Sequence, residues 1–271
     1  MLSLAKRILP ALVILGLAVS AVAQPDPNAD PKKAAKKYAK LVEKDPENPD
    51  SWYNLALAHC LLGNWEKAVP AAEKAAALAP ESARFSYILG KALKGSGKAD
   101  AAVTAYEKAV ELDPGLMEAQ AELGDAYYDA ERYDDAIKSY KGALKTKPEN
   151  PGGFYNGLGN CYIKLGQMDQ ATRWFQKNAD AAPNDPVTWY NLGAIYKQAA
   201  RQDESFKPKA ADAFKKSAEL APRDADCLYQ AGESAFMADR SDDAKRFLSA
   251  FLKLEASSQR ADVAKVLLDE L

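Results

Sequence analysis

The sequence predicts an all-α fold, an open solenoid of helix–turn–helix repeats closed by one C-terminal helix. Two observations carry that expectation. Pro46, Pro80, Pro114 and Pro148 are spaced by 34 residues (80−46, 114−80, 148−114), and each follows an amphipathic run that proline cannot continue as helix. Between the prolines, small and aromatic residues return at fixed offsets: Leu89-Gly90, Ala102 and Tyr106, then Leu123-Gly124, Ala136 and Tyr140. Self-similarity at a fixed period marks a core built by stacking neighbours, not by wrapping one centre.

From the N-terminus, residues 1–23 read as a secretory signal peptide. Lys6 and Arg7 precede the apolar stretch Ile8 to Val19, and Ala21-Val22-Ala23 offers a cleavage site before Gln24. The run is short for a membrane span and is interrupted by Pro10. A periplasmic or secreted protein is expected, with no integral membrane segment after cleavage. Residues 24–30 form a Pro-rich polar leader. Residues 31–48 carry only a second-helix pattern, Ala34, Tyr38 and Leu41 before Pro46.

The repeats occupy 49–82, 83–116, 117–150, 151–185, 186–224 and 225–256. The fourth has Leu158-Gly159, Tyr162, Ala171, Phe175 and Pro183, 35 residues after Pro148. Its extra residue is either Pro151 or Gly157. The fifth has Trp189, Leu192-Gly193, Tyr196, Ala210, Phe214 and Pro222, 39 residues on. Its five extra residues fall within 198–209, a charged segment containing Pro208 that is expected to protrude from one edge. The sixth is degenerate, keeping Ala231-Gly232 and Ala244 without a closing proline. Residues 257–271 make an amphipathic capping helix with Ser258 as N-cap. Gly63, Gly97 and Gly166 end first helices, where a left-handed conformation is needed.

In the first repeat Trp52, Leu55, Ala56, His59, Ala68, Ala72 and Pro80 set the register, and five further repeats follow it. On these residues the chain resembles the tetratricopeptide repeat (TPR) family. The resemblance implies a right-handed α-solenoid that acts as a protein-binding scaffold. It implies that first helices line a concave groove, with the residue after the Trp position pointing into it. That position falls on Tyr53, Tyr87, Ala121, Tyr190 and Tyr229, and on Tyr155 or Asn156 in the fourth repeat. One turn further lie Leu57, Lys91, Asp125, Asn160 and Ala194. The tyrosines are equally readable as groove surface or as the family's packing filler. The second repeat is basic (Arg84, Lys91, Lys94) and the third acidic (Glu118, Glu122, Asp125, Asp129), so a ligand lying across both would carry both signs. The chaperone-tail clamp of some TPRs needs Lys and Asn where this chain has Tyr53 and Leu57, so that subclass is not indicated.

Composition narrows the function classes. The formal charge is −2, or −4 without Lys6 and Arg7, which gives no case for nucleic acid. Cys60, Cys161 and Cys227 lie in separate repeats on apolar faces and read as small buried hydrophobes. His59 is the single histidine, so metal ligation and base catalysis have no second residue to use. No cofactor, metal or catalytic residue is expected, and the protein is read as a non-enzyme. The expected partner is a protein or extended peptide segment, in association with a cell-envelope complex. Alternatives are a scaffold that self-assembles or uses its convex face, and a glycan binder stacking sugars on the tyrosines.

Overall fold

A computed structural model describes residues 30–271; the signal segment 1–23 and the leader up to residue 29 lie outside the described residues. Within them the chain forms α-helices only, apart from one 3-10 turn at Glu204–Phe206. After α1 (Pro31–Lys44) come six helix pairs. These are α2 (Pro49–Leu61) with α3 (Trp65–Leu78), α4 (Ala83–Gly95) with α5 (Ala99–Leu112), and α6 (Met117–Asp129) with α7 (Tyr133–Lys145). Then follow α8 (Gly152–Lys164) with α9 (Met168–Ala181), α10 (Pro186–Ala199) with α11 (Lys207–Leu220), and α12 (Ala225–Met237) with α13 (Ser241–Leu254). α14 (Gln259–Asp269) closes the array.

Local chemistry sets the helix starts. Asn48 accepts from the Ser51 amide at 3.1 Å with Pro49 at the first helical position, and Asp224 accepts from Cys227 at 2.9 Å. Ser258 caps α14 through the Ala261 amide at 3.1 Å. Within five of the pairs a three-residue turn carries one left-handed residue: Gly63 (φ 68°), Gly97 (79°) and Gly166 (71°), but Glu131 (58°) and Asp239 (56°). An L side chain there works against a steric penalty that glycine lacks. Glu131→Gly is therefore expected to stabilise the protein by about 0.5–1 kcal/mol, net of glycine's larger unfolded-state entropy. A urea midpoint that rises with unchanged slope would show it.

Inside five of the six pairs the two helices cross at a glycine; the first has Ala56 at that position. A Cβ built on Gly90 would lie 2.5 Å from the Tyr106 ring, on Gly124 2.6 Å from Tyr140, and on Gly159 2.5 Å from Phe175. Gly193 meets Phe214 at 2.8 Å, and the degenerate sixth pair substitutes Leu248 against Gly232 at 2.6 Å. The recurring aromatic therefore fills the hollow that its own repeat's glycine leaves. Each helix packs on the next along the chain, and the core runs as linked clusters from Val42 to Ala264. First helices also reach one another, α2 with α4 and α6 with α8, while successive second helices make no comparable contact. Crowding on one side and splaying on the other makes the first-helix side the inner, concave one.

Helix lengths settle the fourth repeat. α7 ends at Lys145, and residues 146–151 link it to α8, where the other repeats use four residues (79–82, 113–116, 182–185). The extra residue lies in this linker, so Asn156 takes the fifth helical position held elsewhere by Tyr53 and Tyr87. The long fifth repeat differs from expectation. α10 runs to Ala199, and residues 200–206 replace a three-residue turn. Only Arg201–Ser205 form an exposed lip. Phe206 folds back to stack on Tyr196 (centroids 5.7 Å apart, 28° between planes), with the Lys209 ammonium 4.6 Å from the Phe206 centroid. An aromatic at the end of the insert gives it something to bury, so it lies against the array.

Candidate functional site

The residues singled out from sequence occupy two positions of the first helices. The fifth holds Tyr53, Tyr87, Ala121, Asn156, Tyr190 and Tyr229; the ninth holds Leu57, Lys91, Asp125, Asn160 and Ala194. Counting nine from Ala225 adds Glu233, which completes that row and was missed because the sixth repeat is degenerate.

The fifth-position tyrosines divide into two kinds. Tyr53 is 8% exposed, with its ring 5.2 Å from Phe85 of the next repeat and the Arg84 guanidinium 5.0 Å from its centroid. Tyr229 is 7% exposed, against Phe251 at 5.2 Å and under Arg260. These two rings are packing between elements, and truncating them would test folding. Tyr87 and Tyr190 are half-buried, each packed against an aromatic of its own repeat, Tyr106 at 6.0 Å and Phe214 at 5.4 Å. Burial, then Glu122 and Glu118, pushes the Tyr87 phenol up to about 12, so it stays a neutral donor at any physiological pH. Asn156 is half-buried and accepts from the Asn178 side chain at 2.8 Å.

The charged rows are tied together. Lys94 of α4 reaches Glu122 of α6 at 2.8 Å, so part of the basic second repeat is spent on the acidic third. Asp125 accepts from the Tyr140 hydroxyl at 2.7 Å and remains exposed, as does Asp129. Lys197 of α10 reaches Glu233 at 2.6 Å and Gln230 at 2.9 Å. In both ion pairs the twelfth residue of one first helix meets the next repeat's first helix, a link about 30 residues long that sequence spacing does not announce.

Between α10 and α12 lies a cleft of about 250 Å³ lined by Pro186, Val187, Tyr190, Ala221, Asp224, Asp226 and Cys227. Val187 is 59% exposed, an apolar side chain left in water beside a half-buried ring. Asp224 and Asp226 stand at its rim, and Arg260 from α14 pairs with Asp226. At the other end of the array Leu61 is 61% exposed on α2. Neither Val187 nor Leu61 was singled out from sequence; each is the second or last residue of a first helix, where a polar residue would be the ordinary choice.

Cys227 borders this cleft, whereas Cys60 and Cys161 lie in other repeats. Cys60, Cys161 and Cys227 are all free and buried, and burial raises the Cys60 and Cys161 thiols to about 11. None is expected to react with a thiol-specific disulfide reagent at neutral pH until the protein is unfolded; prompt release of thiolate from the native protein would contradict this packing. His59 is half-buried, with its pKa lowered by burial and then by Lys67, and its Nδ1 has no partner among the described residues. Among the described residues no group of His, Cys, Asp or Glu could hold a metal ion, and no helix is long and apolar enough to cross a membrane.

Paired helices crossing at Gly–aromatic contacts, stacked so that first helices face inward, define a tetratricopeptide repeat protein. The chain belongs to that family: residues 83–270 match the family described as the Cilia and flagella-associated protein 70 C-terminal domain, and residues 28–83 match the Tetratricopeptide repeat family. No curated protein matches the chain. Among solved structures it is similar to the C-terminal part of a TPR repeat-containing protein from Cytophaga hutchinsonii, with a TM-score of 0.72, 18% identity, and coverage of 86% of this chain and 94% of that one. It is similar to YrrB, described as a TPR protein with an unusual peptide-binding site, at 25% identity and a TM-score of 0.56, covering 72% of this chain and 97% of YrrB. It is also similar to MamA at 28% identity and a TM-score of 0.52, covering 56% and 82%.

Proposed function

We propose that this chain is a non-catalytic scaffold whose first-helix face holds an extended protein segment, in the service of a cell-envelope complex. The observation that carries the reading is the Val187–Tyr190 cleft: an apolar floor with a carboxylate rim, on the side where first helices converge. Such a site takes an apolar side chain next to a basic one. The exposed carboxylates Asp125 and Asp129 extend the same preference toward the third repeat. Peptide binding by YrrB, which shares the repeat and a quarter of its aligned residues, supports the class of ligand. The apolar N-terminal run before Ala23 supports placement in the periplasm or outside the cell. An exposed apolar side chain on a concave face with convergent polar groups is the usual anatomy of a recognition site.

The test is a crosslinking pull-down from envelope extract with the 24–271 chain and a Tyr87→Ala/Tyr190→Ala variant. A discrete partner held by the first and lost by the second supports groove recognition. Equal retention would transfer binding to the second helices or the ends of the array and sink the groove reading.

A further inference from the structure

The first helix has a surface that the groove does not use. Lys32, Lys36, Lys40, Lys33, Lys44 and Lys37 fall at about 0, 40, 80, 100, 120 and 140° around α1 when each residue turns by about 100°. All six are exposed, and none lies within ion-pair distance of a carboxylate among the described residues. The opposite side, Tyr38, Ala39 and the buried Val42, packs toward α2. α1 touches no other helix to a comparable extent, so its lysine side is bare.

This charge is segregated from the rest of the protein. α1 has six lysines and one carboxylate, Glu43. Residues 45–271 have 28 basic residues against 35 acidic ones (36 less the 8 in residues 1–44, 38 less the 3 there), a formal −7. A scattering of surface lysines for solubility would not collect on a single arc of the terminal helix while the body stays acidic.

We propose that the lysine face of α1 docks the array end-on to an anionic phospholipid surface. A flat, negatively charged sheet matches a bare face of six parallel lysines, since each ammonium gains from the surface potential without a specific partner geometry. The chain N-terminal to α1 argues for the same occupant if residues 1–23 act as the secretory signal proposed above: that apolar stretch, Ile8 to Ala23, ends only seven residues before Asp30, which would release α1 beside the bilayer. The acidic body is repelled by the same surface. That repulsion turns the solenoid away from the membrane and leaves the first-helix groove in solution.

The test is vesicle co-sedimentation of the 24–271 chain, which keeps all the described helices and lacks the apolar run. One set of vesicles is pure phosphatidylcholine, the other equal parts phosphatidylcholine and phosphatidylglycerol. The chain should sediment with the anionic vesicles and not with the neutral ones, and the interaction should fade between 0.1 M and 1 M salt as the screening length shrinks from about 10 Å to about 3 Å. Lys33→Glu/Lys37→Glu/Lys40→Glu should weaken binding by at least about tenfold, a conservative reading of the gain per lysine near such a surface. Lys→Arg at the same positions should retain it. Circular dichroism of the Glu variant checks that α1 remains folded, and Lys→Gln substitutions serve if it does not. Equal sedimentation with both vesicle types, survival at 1 M salt, or full binding by the charge-reversed variant would overturn the proposal. Capture of the chain by a soluble acidic protein with no vesicle binding would also overturn it.

Discussion

Alanine in place of Gly90 is expected to destabilise the protein by about 1–3 kcal/mol, although alanine is the better helix former by roughly 1 kcal/mol. The added Cβ would stand 2.5 Å from two ring carbons of Tyr106, a side chain with 0% exposure and nowhere to move. Tyr106→Ala alone should lose about 3–5 kcal/mol through the cavity it leaves between α4 and α5. The pair should be strongly coupled. In the Tyr106→Ala background, Gly90→Ala is expected to become neutral or stabilising, since the clash is gone and the propensity gain remains. Tyr106→Phe should cost nothing, because the buried hydroxyl has no partner among the described residues to lose. Urea denaturation of the four members of the cycle measures this. Additive penalties would show that the helices do not cross as described.

Removal of the apolar floor of the cleft should weaken partner binding while leaving the chain folded. Val187→Glu places a carboxylate beside Asp224 and Asp226, and Tyr190→Ala deletes the ring that forms the wall. Val187 is mostly in water, so its replacement should change stability by no more than about 0.5 kcal/mol. The pair should weaken binding of the captured segment by at least tenfold, about 1.4 kcal/mol, the lower bound for losing a buried anchor and adding like charge. The comparison is between calorimetric affinities of parent and variant, with melting curves showing both folded. An unchanged affinity would remove this cleft from the recognition surface.

Much of the fold is legible in the sequence because its signals are local and repeated. The 34-residue proline period locates the helix pairs, and the 16-residue offset from Gly90 to Tyr106, Gly124 to Tyr140 and Gly159 to Phe175 is a crossing contact written directly into the chain. The capping role of Ser258 and the left-handed Gly63, Gly97 and Gly166 are equally local. What sequence could not show is what each repeat meets in its neighbour. Tyr53 and Tyr87 hold the same helical position, yet Phe85 covers one and no ring from the next repeat covers the other, so one is core and the other surface. The basic and acidic stretches look like opposed ligand contacts until Lys94 is seen to reach Glu122. The insert reads as a protruding loop until Phe206 finds Tyr196. Each of these depends on a residue about 10 to 30 positions away, beyond any helical period.

The first-helix face, and not the outer face, is expected to receive the partner. Photo-crosslinking tests it most directly. A benzophenone amino acid would be placed singly at Tyr190, Ala194 and Asp125 on the inner face, and at the exposed Lys108 and Lys216 of the second helices α5 and α11. With envelope extract, one discrete adduct is expected from the inner positions and none from Lys108 or Lys216. Adducts from the second-helix positions alone would contradict it.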